Sequence, residues 1–362
     1  MSSKLYINKE NLKNNLEYIH KFLNPTTKII AMVKANAYGC GMIEITKYLE
    51  TLGVTDYGVA LVKEGVFLRQ NGILSNILVT SQFITEDIND IIKYNLSVSV
   101  SNIELLEKLN NEAKKHSKLI KIHIKIDTGM GRLGFTEDNI YNNIEIIKNN
   151  FNNIIIDGIY THLSCADSDE NYTLKQLEKF DNILNKLQNL GFKFNYIHAL
   201  NSYGILRYNK YQFTHVRPGM LLYGYLEENC NGNIKSILTL KSPVLRIQEF
   251  NNDSKISYNG SYTAKKGSKI ATIGIGYADG LPRNVSNNYY VHIGNEKAKI
   301  VGNICMDMCM LDITNIKSKI NVGDFVTVIR DSEDVEKISK LSNTISYEII
   351  SKLSPRIDRY LI

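Results

Sequence analysis

Hydrophobic periodicity divides the chain into two regions. In the first two thirds, short apolar runs alternate with longer segments whose apolar residues recur every three or four positions, as in parallel strands joined by crossover helices. Eight such units over about 220 residues predict a (β/α)8 barrel of the TIM type. The predicted strands are Lys28–Val33, Tyr57–Ala60, Asn76–Thr80, Leu96–Val100, Lys121–Ile126, Ile154–Tyr160, Tyr196–Leu200 and Phe213–Val216. The predicted helices between them are Asn8–Phe22, Ile43–Leu52, Glu86–Tyr94, Asn102–His116, Asp138–Asn149 and Thr173–Leu190.

The pattern changes after about Asn231. From Ile234 onward, alternating segments separated by Gly, Asn, Asp and Lys turns indicate a smaller, mostly-β domain, with helical periodicity only near Val335–Lys340 and Ile345–Leu353. We therefore predict a barrel domain at 8–233 and a C-terminal β domain at 234–362, with residues 1–7 as candidates to pair with the second domain. The predicted strands of this domain are Val244–Glu249, Ser268–Ile275, Tyr289–Ile293, Lys299–Val301, Met308–Asp312 and Asp324–Ile329.

Composition excludes several classes of protein. The 362 residues carry 43 Lys and Arg against 37 Asp and Glu, a net charge of +6, and no block of basic residues predicts nucleic-acid binding. No apolar run reaches the roughly 18 residues that span a bilayer, and the chain does not open on a signal peptide, so we expect a cytoplasmic protein without a membrane partner. Five cysteines without CxxC spacing predict neither a disulfide framework nor a metal site.

Polar residues follow the predicted strands at the end of the barrel where active sites gather. Lys34 closes the first apolar run, and desolvation there lowers the pKa of an amine toward the neutral form that a Schiff base requires. Arg217 and Gly219 follow the eighth strand, and a glycine lets an anion approach backbone N–H groups. Ser202 adds a hydroxyl donor, although each of these signals alone is also common loop chemistry. We expect His198 and His215 to be hydrogen-bonded barrel residues rather than metal ligands.

Together these signals form a specific set of motifs. The segments VKANAYGCG, KIDTGMGRLG, THLSCAD, NS, VRPGMLLYG, SYNGSY, GIGYADG and ICMDM occur in the order and approximate spacing found in alanine racemases. The chain resembles this family from about Tyr6 to Arg359. The resemblance implies a homodimeric isomerase that uses pyridoxal 5′-phosphate (PLP) to interconvert L-alanine and D-alanine for peptidoglycan.

The resemblance also implies two acid/base residues, because a racemase needs a proton acceptor on each face of a planar carbanion. Lys34 is implied to bind PLP covalently and to serve one face, and Tyr258 from the partner subunit to serve the other. His162 is implied to contact this tyrosine, and Arg217 to contact both His162 and the pyridine nitrogen of PLP. A cation at that nitrogen disfavours its protonation, so the proton returns to Cα. An ordinary salt-bridge arginine is the alternative for Arg217.

The remaining site residues are implied by the same resemblance. The implied substrate contacts are Arg132 and, from the partner subunit, the backbone N–H of Met306, while Tyr277 from the partner lines the entrance or packs in the interface. Lys125 is implied to be carbamylated and to orient Arg132, with an unmodified lysine as the alternative. Tyr347 is implied to cover the alanine methyl group. The implied PLP ligands are Lys34, Tyr38, Ser202, Arg217, Gly219, Met220 and Tyr347.

Three alternatives remain open for the function. The first is a racemase of serine or of broader range, and the presence of Tyr347 favours alanine over it. The second is a PLP-dependent decarboxylase of similar architecture, which would lack the Tyr258 motif. The third is a non-enzymatic PLP carrier, which has the barrel without the roughly 120 residues after Ile234 that predict a second domain.

Overall fold

The computed structural model describes residues 2–226 and 233–362. The chain forms two compact units. The first, which we call the barrel unit, comprises Leu16–Ala35 and Met42–Leu222. The second, the β unit, comprises Met1–Asn15, Asn36–Gly41 and Tyr223–Ile362. The predicted boundary at 233/234 rests on the change of hydrophobic period, and the Asn-Gly stretch Asn229–Asn233 beside it lies mostly outside the described residues, so this boundary stays a prediction.

The barrel unit contains a closed barrel of parallel strands. The first strand of the chain, β1 (Lys4–Ile7), belongs to the β unit, and the next eight strands form the barrel in sequence order. The last of these pairs with the first, with Lys28 opposite His215, which closes the ring. The strands are β2 (Lys28–Met32), β3 (Asp56–Val59), β4 (Asn76–Val79), β5 (Ser97–Val100), β6 (Ile120–Lys125), β7 (Ile154–Tyr160), β8 (Tyr196–His198) and β9 (His215–Val216).

Two of the helices that connect these strands begin at a side-chain cap. Asn102 and Asp169 each accept a hydrogen bond from a backbone N–H in the first turn of the helix that follows, which satisfies a donor that the helix leaves unpaired. The helices of the first 226 residues are α1 (Lys9–His20), α2 (Lys34–Tyr38), α3 (Met42–Thr51), α4 (Val62–Gln70), α5 (Ile88–Lys93), α6 (Ile103–Lys115), α7 (Glu137–Asn150), α8 (Glu170–Asn189), α9 (Ser202–Arg207) and α10 (Met220–Tyr223).

The β unit contains an eight-stranded sheet in the order β13-β16-β15-β14-β17-β10-β1-β18 and a separate two-stranded sheet, β11-β12. The N-terminal strand β1 pairs antiparallel with β10 and parallel with β18, so residues 4–7 belong to this sheet. The strands are β10 (Leu238–Glu249), β11 (Ser254–Ile256), β12 (Tyr262–Ala264), β13 (Lys269–Ile273), β14 (Tyr290–Ile293), β15 (Glu296–Val301), β16 (Cys309–Asp312), β17 (Phe325–Ile329) and β18 (Asp358–Leu361). Its two C-terminal helices are α11 (Ser332–Leu341) and α12 (Ser346–Ser351).

The predicted fold class, a barrel followed by a mostly-β domain, is confirmed. Two barrel strands are shorter than predicted by two residues each. The eighth begins at His215 because Phe213 has a left-handed backbone (φ 49°), which a strand does not accommodate. The seventh ends at His198 rather than Leu200. Among the described residues, no helix has both the length and the apolar character needed to span a bilayer.

Candidate active site

The predicted polar residues of the barrel unit lie where the parallel strands end. Lys34 follows β2, Lys125 is the last residue of β6, and His162 lies two positions beyond β7. Arg217 follows β9 directly. Because all eight strands run in the same direction, these residues share one rim of the barrel, where active sites of this architecture form.

Arg217 is buried, with 4% of its surface exposed, yet its hydrogen-bond partners are uncharged. Its Nη2 donates to the carbonyl oxygens of Thr161 (2.7 Å) and Ala199 (2.9 Å) and lies 3.3 Å from His162 Nδ1. Its Nη1 lies 2.5 Å from His198 Nδ1. Burial lowers the pKa of Arg217 to about 10, so the guanidinium remains protonated at neutral pH. The site therefore holds a fixed positive charge without a carboxylate partner.

Two buried histidines support Arg217 from inside the barrel. Because Arg217 donates to Nδ1 of His198, the proton of that imidazole is on Nε2, which lies 3.0 Å from His123 Nδ1. Burial, and then the charge of Arg217, lower the pKa of His198 well below its usual value. Burial lowers the pKa of His123 to about 3. Both imidazoles are therefore neutral acceptors, and His198 is the hydrogen-bonded barrel histidine that the sequence predicts.

Cations dominate the surroundings of Lys34. Burial, and then the charge of Arg132, lower its pKa, which Glu64 opposes and Arg217 reinforces. Burial, followed by Arg132 and Arg217, lowers the pKa of Lys125 to about 8. These shifts increase the neutral fraction of both amines, and a neutral amine is the form that reacts with an aldehyde or with CO2.

The loop that carries Arg132 is organised by one carboxylate. Asp127 Oδ1 accepts hydrogen bonds from the backbone N–H groups of Gly129 (2.9 Å), Met130 (2.8 Å) and Gly131 (3.1 Å). Three such bonds fix the turn after β6, because each satisfies a backbone donor that the loop geometry leaves unpaired. Arg132 therefore extends from a loop of defined conformation.

Ser202 joins the loops after β8 and β9. Its Oγ accepts hydrogen bonds from the backbone N–H groups of Gly219 (3.0 Å) and Leu221 (3.2 Å). Asn201 caps α9 by accepting a hydrogen bond from Gly204 N (3.0 Å). With the oxygen accepting two bonds, the hydroxyl proton of Ser202 is the remaining donor, and a phosphate is a suitable acceptor for it. Met220 is the first residue of α10, as the predicted helix start beside Gly219 requires.

The backbone after Lys34 is strained, which the sequence does not predict. Four consecutive non-glycine residues, Ala35 to Tyr38, have φ values between 52° and 54°, so α2 is a left-handed turn. This conformation costs roughly 1–2 kcal/mol per residue. Within the β unit, Arg359 Nε donates to Gly39 O (2.9 Å), and a Cβ at Gly39 (φ 84°) would collide with the Ile350 carbonyl oxygen. Close packing therefore holds residues 36–41 in place.

Tyr38 and Tyr347 lie together in the β unit. Their ring centroids are 6.3 Å apart, and the Tyr38 ring also packs 5.0 Å from that of Tyr223. Burial raises the pKa of Tyr38, so its hydroxyl stays protonated and can act as a donor. The two tyrosines that the resemblance assigns to PLP are thus neighbours in one unit.

The three residues that the resemblance assigns to a partner subunit lie on linked loops of the β unit. Asn303 Nδ2 donates to the backbone oxygen of Tyr258 (2.8 Å), Tyr277 N donates to Cys305 O (3.1 Å) and Ala278 N donates to Met306 O (3.0 Å). Tyr258, Met306 and Tyr277 are 68%, 54% and 43% exposed. Tyr258 also lines an open cavity of about 420 Å³ with apolar residues of the β unit that include Phe250, Ile256 and Met310.

The site residues therefore form two groups. Among the described parts of the chain, no cluster of three His, Cys, Asp or Glu side chains has the arrangement of a metal site. The barrel unit holds Lys34, Lys125, Arg132, His162, Ser202, Arg217, Gly219 and Met220, and the β unit holds Tyr38, Tyr258, Tyr277, Met306 and Tyr347. The structure adds Glu64, His123 and His198, which contact or act on members of the first group.

Comparison with protein families gives two matches that together cover nearly all of the chain. Residues 7–227 match the family model of the alanine racemase N-terminal domain. Residues 237–361 match that of the alanine racemase C-terminal domain. The first match covers the barrel strands, and the second covers the strands from β10 onward. These matches confirm the resemblance inferred from the motifs.

Individual relatives match the chain in sequence over nearly their whole length. The chain is 35% identical to alanine racemase 1 of Clostridium acetobutylicum, over 98% of this chain and 94% of that protein. It is 38% identical to the alanine racemase of Methanococcus maripaludis, over 96% and 95%. Among solved structures, it is similar to the alanine racemase of Clostridium difficile in complex with cycloserine, with a TM-score of 0.93, 33% identity, and coverage of 100% of this chain and 96% of that one.

Proposed function

This chain belongs to the alanine racemase family of PLP-dependent isomerases, and we propose that it interconverts L-alanine and D-alanine by a two-base mechanism. In this proposal Lys34 serves one face of Cα and the partner subunit's Tyr258 serves the other. The observation that carries the proposal is the rim of the barrel, where an amine with a lowered pKa lies close to a buried arginine paired with neutral acceptors. This combination suits proton transfer at Cα.

The residues on the rim suit PLP. When bound, PLP supplies an aldehyde that reacts with amines and a ring that withdraws electrons from Cα. The Lys34 amine, with its lowered pKa, suits the aldehyde, and the Ser202 hydroxyl with the backbone N–H of Met220 suits the phosphate. The Gly219 N–H donates to Ser202 Oγ in this structure and is proposed to exchange that bond for one to the phosphate. Tyr38 and Tyr347 are proposed to donate further hydrogen bonds to that phosphate.

Arg217 is proposed to control where the proton returns. Its guanidinium is held by two carbonyl oxygens and two neutral imidazoles, so its charge is not cancelled by an anion. If PLP binds with its pyridine nitrogen at this guanidinium, the full positive charge would disfavour protonation of the nitrogen, because like charges repel in a buried site. Less electron density would then accumulate away from Cα, which would favour reprotonation at Cα. His162, which contacts Arg217, is proposed to contact Tyr258 and to keep its hydroxyl in reach of Cα.

Arg132 is proposed to bind the substrate carboxylate, together with the backbone N–H of Met306 from the partner subunit. The proposal includes a carbamate on Lys125. An unmodified lysine there adds a cation to a site that already holds Lys34, Arg132 and Arg217, whereas a carbamate is an anion that can orient Arg132.

Because the pKa of Lys125 is about 8, its neutral fraction increases as the pH rises through 8, and carbamylation should increase with it. Native mass spectra in bicarbonate at pH 7 and 9 test this, and equal, unmodified masses at both would contradict it.

A homodimer follows from the proposal, because Tyr258, Met306 and Tyr277 must reach the cofactor of a second copy. Their exposure in the β unit supports such a role. Tyr347 is proposed to cover the substrate methyl group, which favours alanine. The cycloserine complex of the Clostridium difficile relative is consistent with a small amino-acid-like ligand. We place the reaction in the cytoplasm, as a source of D-alanine for peptidoglycan.

Chiral analysis of single amino acids tests the function. The purified protein, reconstituted with PLP, is incubated separately with L-alanine, L-serine and L-lysine, and both enantiomers and released CO2 are measured. We expect D-alanine to form fastest, without CO2. Faster formation of D-serine or D-lysine would contradict the alanine assignment, and CO2 release would support the decarboxylase alternative.

A further inference from the structure

One carboxylate on the barrel rim joins two strand ends. Glu64 Oε1 accepts a hydrogen bond from the backbone N–H of Ala35 (2.7 Å), the residue after Lys34. Glu64 Oε2 accepts from the backbone N–H groups of Ala60 (2.7 Å) and Leu61 (3.1 Å), which follow β3. We propose that Glu64 is a positioning residue for Lys34, which fixes the peptide after Lys34 and supplies a negative charge that opposes the positive charges of Arg132 and Arg217. This inference rests on the proposed role of Lys34.

The position of Glu64 in its helix explains how it reaches both strands. Glu64 is the third residue of α4, and a carboxylate at this position commonly accepts the N–H of the residue that precedes the helix. Leu61 provides that bond here. The second oxygen extends further, to the left-handed turn that begins after Lys34. The first N–H groups of a helical turn have no partner within the turn, so an acceptor from another element is needed.

The charge of Glu64 opposes that of its neighbours. Burial, Arg132 and Arg217 lower the pKa of Lys34, and Glu64 raises it. Lys125 and His162 are also close enough to interact with Lys34. His162 is neutral, and Lys125 adds a positive charge when unmodified but a second negative charge in the carbamate form proposed above. In a two-base mechanism, Lys34 must hold a proton during part of each cycle. A site containing cations alone would disfavour that state, and Glu64 restores part of the proton affinity.

Competitive acetylation of Lys34 measures this effect without turnover. The full-length protein is stripped of PLP with hydroxylamine, and acetic anhydride labelling is quantified by mass spectrometry between pH 6 and 10, roughly the range over which perturbed lysines titrate. Only the neutral amine reacts, so the labelling rate reports its fraction, with the exposed Lys319 as internal reference. Removing the negative charge in Glu64→Gln lowers the pKa of Lys34, and its labelling at the acid end of the range should increase about three- to tenfold.

Two further variants separate charge from structure. Asp87→Asn removes a similar carboxylate in the next crossover, where Asp87 accepts from Ile84 N (3.0 Å), and should leave the labelling of Lys34 unchanged. Glu64→Asp keeps the charge but shortens the side chain, so its labelling profile should stay close to that of the unmodified protein. Equal profiles for Glu64→Gln and the unmodified protein would overturn the proposal. Equal acceleration by Glu64→Asp and Glu64→Gln would contradict the electrostatic role of Glu64, because loss of its hydrogen bond to Ala35 would then explain the result.

The labelling result is independent of the racemase assignment. If the unmodified protein fails to racemise any amino acid while Glu64→Gln still accelerates the labelling of Lys34, then the proposed function is wrong and the link between Glu64 and Lys34 stands. If racemisation is observed and the labelling does not change, then the function stands and the role of Glu64 is wrong.

Discussion

The two units present their site residues in opposite ways. In the barrel unit, Arg217 is 4% exposed and its hydrogen bonds go to carbonyl oxygens and imidazoles of the same unit. In the β unit, Tyr258 is 68% exposed and is held through its backbone oxygen by Asn303. The barrel unit thus sets the protonation states of its own groups, whereas Tyr258 is held at a surface. This difference is what a site completed by a second copy requires.

The two units also share one property. Lys34 precedes four residues with left-handed backbones, and Tyr258 lies between Ser257 and Asn259, which both have φ values of 62°. Strained backbones persist where the surrounding packing fixes them, and they concentrate at functional sites. Both proposed acid/base residues are therefore held by strained local backbone, although Lys34 is half-buried and Tyr258 is exposed.

The largest effect should come from the barrel unit, at Lys34. Lys34→Ala removes both the amine that binds PLP and one acid/base group, so we expect the visible absorbance of bound PLP to be lost and racemisation to fall by at least about 10⁴-fold. Absorbance spectra and chiral assays measure the two losses. Lys63→Ala, at an exposed lysine of α4, is the control and should retain both. Retained racemisation in Lys34→Ala would overturn its assignment.

Substitution of the exposed Tyr258 should give a smaller loss of racemisation, of a different kind. Tyr258→Phe removes one of the two acid/base groups, and racemisation should fall about 10³-fold. Lys34 would still exchange the Cα hydrogen of one enantiomer, so deuterium from D2O should enter that enantiomer without inversion. Tyr290→Phe, at another exposed tyrosine of the β unit, should be neutral. Equal loss of exchange for both enantiomers would argue against a two-base mechanism.

The role of the uncharged acceptor at His198, which hydrogen-bonds Arg217, can be tested by replacing it with a negatively charged one. His198→Asp places a carboxylate where Nδ1 of His198 accepts from Arg217, which cancels part of the cation. We expect racemisation to fall about tenfold and pyruvate, the product of transamination, to become detectable. His198→Asn keeps a neutral acceptor in a similar place and should produce much less pyruvate. Equal pyruvate from both variants would show that the charge of Arg217 does not control the proton.

The smallest of these effects concerns the strained turn. Gly39→Ala adds a Cβ against the Ile350 carbonyl at φ 84°, and should lower the free energy of unfolding by at least about 2 kcal/mol. Gly53→Ala, at φ 88° with no atom near the added Cβ, isolates the backbone cost and should lose only about 1 kcal/mol. Urea unfolding of both variants measures the difference. Equal losses would show that packing against Ile350 does not constrain the turn.

Periodicity alone predicted the architecture because the strands and helices of a barrel alternate regularly. The bounds of β7 agree at both ends with the prediction, Ile154–Tyr160. Helix α4 was not predicted, because a glycine lies in its centre and its buried positions, Val62, Gly65 and Leu68, form a narrow stripe beside an exposed Phe67. The short strands β11 and β12 also lack a sustained alternating pattern.

The site was predictable only in part. Lysine, histidine and arginine at strand ends predict where the site lies, and the role proposed for each residue comes from the family motifs. The left-handed turn at Ala35–Tyr38 has no signal in residue type, because none of these four residues is a glycine. The contacts of Arg217 and of the peptide after Lys34 join residues that are distant in sequence. The hydrogen bond between Arg217 and His198 spans 19 residues, and the one between Ala35 and Glu64 spans 29. Such pairs follow from the closed barrel and not from local sequence.

Subunit mixing tests the shared site most directly. Lys34→Ala and Tyr258→Phe are each nearly inactive, and they are combined in equal amounts under conditions in which native mass spectrometry shows exchange of differently tagged subunits. Random exchange makes half of the dimers mixed, each with one intact site, so the account predicts recovery of about a quarter of the unmodified activity. No recovery despite proven exchange would contradict the claim that each site combines Lys34 of one subunit with Tyr258 of the other.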